Sequence, residues 1–189
     1  KLSTGDLLRE EIKKKTPIGQ KIITIVNSGS LVSDDIINNL IENVVSNKKY
    51  ENRIIFDGYP RNLPQAKKLN ELLSKYSQKI DIVIKLQVSL EIIKKRITGR
   101  LTCSKCSKTF NEFFSPPPTN MICCQDGTLQ KRDDDNVGVA VKRYETYEKS
   151  TEPVLDFYKK MNLVKDLNGE TNIDSIQSKI SDYLTVIEG

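Results

Sequence analysis

The sequence predicts an α/β protein: a parallel sheet core flanked by helices, with a helical segment near the start and a small β insert. Three observations carry this expectation. Short apolar runs alternate with amphipathic helical stretches along most of the 189 residues, the pattern of a parallel sheet built from β–α crossovers. Helical periodicity then vanishes over residues 101–135, where all four cysteines and Pro116, Pro117 and Pro118 gather. The length suits one domain with room for an insert and a sizeable buried core.

The elements follow in order. Lys1, Leu2 and Ser3 read as a strand end, with Thr4 as N-cap of a helix carrying Leu7, Leu8 and Ile12. A second helix begins near Thr16 and Pro17, since proline suits a first turn. Ser33 and Asp34 cap a third, whose Ile36, Ile37, Leu40, Ile41, Val44 and Val45 share one face. Residues 53–56 form an apolar run stopped by Asp57 and Gly58, too short for a buried helix and therefore expected as a buried parallel strand. A helix with Leu63, Ala66, Leu69, Leu72 and Leu73 follows, then a strand over 81–88 and a helix carrying Arg96 and Arg100. After the insert, helix is expected over 137–161, strand over 163–167 and a last helix through Leu184. The expected partition is a core of 1–3, 53–100 and 136–189, a helical segment 4–52 and an insert 101–135.

Composition narrows the chemistry. The chain has no histidine, which excludes Ser-His-Asp and Cys-His catalysis, an imidazole base and any His-containing metal site. A net charge of +5 permits anionic ligands without requiring nucleic acid. No apolar run approaches about 18 residues, so no membrane-spanning helix is expected, and no signal-peptide pattern opens the chain. An intracellular setting follows, with cytoplasm and mitochondrion not distinguished. Of the 30 basic residues only seven are arginine: Arg9, Arg53, Arg61, Arg96, Arg100, Arg132 and Arg143. In a lysine-rich chain, arginine is expected where a planar five-donor fork is needed.

The cysteines form two knuckles. Cys103 and Cys106 have two residues between them, as do Cys123 and Asp126, and tetrahedral zinc takes two ligands from each such knuckle. The spacing favours Cys103, Cys106, Cys123 and Asp126 as the set. Zinc through Cys124 instead, or disulfides and free thiols, are the alternatives, and a reducing compartment argues against disulfides. With four protein ligands and no open position, the metal would be structural.

Four arginine motifs complete the reading. Ser3, Thr4 and Arg9 place a hydroxyl at a helix start and a guanidinium further along it, a phosphate or sugar clamp. Asp57, Gly58, Tyr59, Pro60 and Arg61 put a carboxylate at the C-terminal end of a strand, where α/β folds bind ligands. Arg96 and Arg100 stand one helical turn apart entering the insert, and Arg132, Asp133, Asp134, Asp135 and Arg143 leave it.

In this order the motifs resemble the adenylate kinases, specifically the long form with a zinc knuckle in its lid, along essentially the whole chain. The resemblance implies a P-loop NTPase-like core, ATP and AMP as partners, Mg²⁺ with ATP, structural Zn²⁺, and the reaction Mg·ATP + AMP ⇌ 2 ADP. It implies that AMP is surrounded by Thr4, Arg9, Ser30, Leu31, Val32, Gly58, Tyr59, Pro60, Arg61 and Gln65, with Arg132 and Arg143 near its phosphate. Gln65 would read the adenine edge, and Ser30 stands where many members have lysine. Arg96 would stack on the ATP adenine, with Arg100, Thr109 and Phe110 near the same nucleotide. Arg61, Arg100, Arg132 and Arg143 would meet at the transferred phosphoryl group, Asp57 would hold Mg²⁺ through water, and Asp134 and Asp135 would orient the arginines. A monomer is expected, with no nucleic-acid or membrane partner.

One departure is large. The family's Gly-rich phosphate loop and lysine should lie about 20 residues before Leu2, and no such motif occurs in the sequence. The chain is therefore expected to be an N-terminally incomplete adenylate kinase, to have its sheet split where that first strand belongs, and to have negligible activity by itself. A GTP-using relative of the same class, a nucleotide-binding pseudoenzyme fragment and a zinc-ribbon nucleic-acid module are the other readings. The aspartate run in the insert opposes the last.

Overall fold

Two parallel strand pairs and one three-stranded antiparallel sheet organise the protein. The computed structural model describes residues 1–121, 123–125 and 127–188. Strand β1 (Leu2–Ser3) leads into helices α1 (Thr4–Lys13), α2 (Pro17–Asn27) and α3 (Asp34–Val45). Then come β2 (Phe56–Asp57), α4 (Leu63–Lys75), β3 (Val83–Gln87) and α5 (Leu90–Thr98). The insert is β4 (Arg100–Cys103), β5 (Thr109–Asn111) and β6 (Leu129–Gln130). The chain closes with α6 (Val137–Thr146), α7 (Glu152–Lys159), β7 (Val164–Asn168) and α8 (Ile173–Glu188).

Strand β1 runs parallel to β2 with Leu2 opposite Phe56, and β3 runs parallel to β7 with Val83 opposite Val164. The two pairs are separate sheets among the described residues, and both β2 and β3 line one broad cleft. The insert is an antiparallel β5-β4-β6 sheet in which Leu101 faces Phe110. No helix of the described residues is long and apolar enough to cross a membrane.

Capping chemistry sets the helix starts. Thr16 accepts from the Gly19 N–H at 3.0 Å with Pro17 following it, and Asn62 accepts from the Gln65 N–H at 2.8 Å. The expected cap of α1 shifts by one residue. Ser3, with extended backbone, accepts from the Asp6 N–H, while Thr4 is already helical and its hydroxyl donates to the Gly58 carbonyl at 2.8 Å. Thr4 thus ties the start of α1 to the loop after β2.

The main core joins α1–α4. Ile22, Ile41 and Leu69 are fully buried, and Ile37, Val45, Leu72 and Leu73 pack with them. Each such side chain contributes roughly 1.5–3 kcal/mol by leaving water. Ala66, on another face of α4, packs with Val154 and Tyr158 of α7. Three further expectations are corrected. Arg100 does not share a helix with Arg96, because α5 ends at Thr98 and Arg100 opens strand β4. The run over 53–56 is strand only from Phe56, and Ile55 is 67% exposed because it lines the open cleft, although its carbonyl accepts from the Leu2 N–H at 2.7 Å. The expected continuous helix 137–161 is two helices joined by a wide π-helical turn, Tyr147–Thr151. Pro153 has no N–H to continue the ordinary ladder there.

Candidate active site

The loop between β2 and α4 makes the floor of the cleft. Gly58 has φ +73°, and a Cβ on it would lie 2.8 Å from an Arg61 guanidinium nitrogen and 3.1 Å from Thr4 Oγ1. Only glycine permits this approach without strain. Arg61 Nε donates to the Gly58 carbonyl at 2.7 Å, and the Arg61 carbonyl accepts from Thr151 Oγ1 at 2.8 Å. The Tyr59–Pro60 peptide is cis. Asp57 ends β2 beside Lys1, whose Nζ is 2.9 Å from its carboxylate.

The opposite wall comes from the insert strands and α6. Arg100 makes a two-point contact with Asp135, through Nε at 3.1 Å and through a terminal nitrogen. Arg143 pairs with Asp134, a residue 5% exposed. Gly29, at φ +72°, lets the α2–α3 loop close on α6, where its Cβ would lie 2.9 Å from Val139. Lys142 donates to Ser30 Oγ at 2.8 Å across the same junction.

Electrostatics give this arrangement its meaning. Burial first, then the positive charge of Arg143, pushes the Arg61 guanidinium below its ordinary pKa. Burial and then Arg100 and Arg9 do the same to Arg132. Cations that destabilise one another in a shared cleft call for an anion between them. The cleft, about 2580 Å³, exceeds the usual single-ligand range of roughly 300–1,000 Å³ because it runs on between the two strand pairs, where Ile54, Ile82, Ile84 and Leu155 line it.

Most of the sequence-predicted residues meet here. Thr4, Arg9, Ser30, Leu31 and Val32 line the cleft from the helical segment. Asp57, Gly58, Tyr59, Pro60, Arg61 and Gln65 do so from the β2–α4 region, and Arg100, Thr109, Arg132 and Arg143 from the insert side. Arg96 and Phe110 do not line it. Arg96 donates to the Gly169 carbonyl at 2.6 Å and lies 5.7 Å from the Phe114 ring centroid. Phe110 is buried within the insert opposite Leu101. Sequence reasoning missed the link from Asp34 to Asn62 and Gln65, since those residues stand 28 and 31 positions apart. The α4 cap at Asn62 was the one signal that could have drawn attention to it.

The insert brings Cys103, Cys106, Cys123 and Cys124 together, with all four Sγ atoms within 4.8 Å of one another. Cys103 and Cys124 are 3.7 Å apart at sulfur, Cys106 and Cys123 3.4 Å. A zinc tetrahedron with bonds of about 2.3 Å has S···S edges of about 3.8 Å, so the thiols fit that ion. Without an ion the thiols act on one another: backbone N–H groups of Cys106 and Lys105 lead in lowering Cys103, while the Cys106 thiol raises Cys123 and the Cys103 thiol raises Cys124, so the sulfur geometry carries the case for zinc. Asp126, the fourth ligand expected from spacing, lies outside the described residues.

Known proteins give the same direction. The adenylate kinase family model matches residues 1–163. The adenylate kinase of Pelagibacter ubique is 46% identical over 185 residues, covering 98% of this chain and 87% of its own length. Those of Bacillus subtilis and Fervidobacterium nodosum are 35% and 38% identical over 184 residues, each covering 97% of this chain, and 85% and 84% of their own lengths. An arginine-lined cleft between a β2–α4 floor and a cysteine-bearing insert, with relatives aligned along nearly all of it, identifies the chain as belonging to the adenylate kinase family.

Proposed function

We propose that this protein transfers the terminal phosphoryl group of Mg·ATP to AMP, giving two ADP. The observation that carries the reading is the set of mutually repelling arginines, Arg9, Arg61, Arg100, Arg132 and Arg143, lining one cleft. Phosphoryl transfer needs little covalent help; it needs alignment of attacking and leaving oxygens and positive charge on the equatorial ones.

Arg9 and Arg61, with Thr4 and Gly58, hold the AMP phosphate. Arg100, Arg132 and Arg143 neutralise the transferred group, while Asp135 and Asp134 fix the directions of Arg100 and Arg143. Thr109 serves the ATP side within the cleft, while Arg96 stands outside it, held by the Gly169 carbonyl, and reaches ATP only by leaving that bond. Asp57, a half-exposed carboxylate at a strand end, suits magnesium, which keeps much of its water and takes one or two carboxylates besides phosphate oxygens. Magnesium supplies charge neutralisation between the phosphates when it accompanies ATP.

The insert is a lid braced by structural zinc. Cys103, Cys106 and Cys123 are three ligands, and the sulfur geometry supports Cys124 as the fourth where spacing favours Asp126. The free thiols also fit a reducing, intracellular setting. Since one chain supplies every arginine of the cluster, the working unit is a monomer, which light scattering checks.

A coupled assay of the gene-encoded protein with AMP and either ATP or GTP tests the function. ATP-driven ADP formation that falls about 10²–10³-fold in Arg143→Ala is expected. AMP-independent turnover unaffected by that substitution would overturn the reading.

A further inference from the structure

Gln65 is 2% exposed, and both ends of its amide are committed. Its Nε2 donates to Asp34 Oδ1 at 2.7 Å, and its Oε1 accepts from the Arg61 N–H at 2.7 Å. A carboxylate can only accept and a backbone N–H can only donate, so these partners allow one orientation. Turning the amide over would set oxygen against carboxylate and NH₂ against N–H, two unmade bonds in a buried place. Asp34 is itself held. Asn62 Nδ2 lies 3.0 and 3.2 Å from its two oxygens, while Asn62 Oδ1 accepts from the Gln65 N–H.

After these bonds the amide keeps one N–H and one lone pair, in a fixed order along its edge. Adenine offers an amino donor at C6 beside an acceptor at N1, which a fixed oxygen and nitrogen can match. Hypoxanthine offers the reverse, an acceptor at C6 and a donor at N1. A free amide could serve either base by rotating; a pinned one cannot.

We infer that Asp34 sets the choice of acceptor base, because by pinning the Gln65 amide it admits a 6-amino purine and rejects a 6-oxopurine. Asp34 touches no substrate in this account; it is a positioning residue. The inference rests on the reading of Gln65 as the contact to the acceptor base.

The test is calorimetric affinity for AMP and for IMP in wild type, Asp34→Ala, Asp34→Asn and Gln65→Ala, with thermal melting of each. Wild type is expected to prefer AMP. Asp34→Ala removes one of the two bonds that fix the amide, the Arg61 N–H remaining, and should reduce the AMP-to-IMP affinity ratio by about threefold to tenfold. Asp34→Asn, which keeps the volume and one acceptor, should reduce it less and carries the test if the alanine variant does not fold. Folded Asp34 variants with the wild-type ratio, beside a Gln65→Ala protein that has lost it, would overturn the inference alone. A wild-type ratio in Gln65→Ala would overturn the base-contact reading and the inference with it.

Discussion

Arg100 sits in a fork on Asp135, whose side chain has no exposed surface while Arg100 keeps 21% of its own. The same carboxylate accepts from the Arg132 N–H at 3.2 Å. One buried charge therefore sets the direction of one cleft-lining arginine and the backbone of a second. An oriented guanidinium costs no reorganisation when charge develops on a phosphoryl group.

Asp135→Asn tests that linkage. It keeps the volume but loses charge and one acceptor, leaving Arg100 partly unpaired. We expect about 1–3 kcal/mol lost in urea unfolding and a fall in kcat larger than any rise in KM for either nucleotide. Stopped-time ADP assays and unfolding curves check both.

Asp134 gives a pH signature. Burial would raise its carboxyl, but the hydrogen bond and charge of Arg143 outweigh burial and hold it below the ordinary 3.8. A depressed native value contributes stability above the unfolded value, and that contribution is lost as pH falls through the native one. The melting-temperature gap between wild type and Asp134→Asn should therefore be full from about pH 5 to 7 and close below about pH 4. A gap unchanged at low pH would contradict it.

Gly58→Ala should damage AMP binding more than ATP binding. Its Cβ would sit at 2.8 Å from Arg61 in a backbone region that costs alanine about 1 kcal/mol or more. Raised KM for AMP with nearly unchanged KM for ATP is expected from initial-rate kinetics.

Much of this was legible in the sequence, and the division has physical causes. The apolar period of α3 correctly marked Ile37, Ile41 and Val45 as buried, because a helix face repeats locally. Gly58 and its neighbours were visible because a strand end, a glycine and an arginine fall within five residues. The Asp34–Gln65 bond was not, since it joins two helix N-termini through tertiary packing. The run around Ile55 misled because apolar content does not report which side chains are covered, and Ile55 lines the open cleft. Residue spacing placed Cys124 behind Asp126 as a ligand, because it cannot report that the Cys124 sulfur folds back to 3.7 Å from Cys103.

Cobalt substitution reads the metal site directly. Protein purified without chelator should carry about one zinc per chain, and its removal should lower the melting temperature. In the cobalt form, Cys124→Ser should weaken the thiolate-to-metal absorption and Asp126→Asn should leave it unchanged. Unchanged thiolate-to-metal absorption in Cys124→Ser, with cobalt affinity lost in Asp126→Asn, would return the fourth position to Asp126.

The most direct measurement is phosphorus NMR of the gene-encoded protein with Mg·ATP and AMP. The account predicts two ADP formed for each ATP consumed, with no inorganic phosphate and strict dependence on AMP. Phosphate release from ATP without AMP, or no transfer to AMP at any concentration, would contradict it.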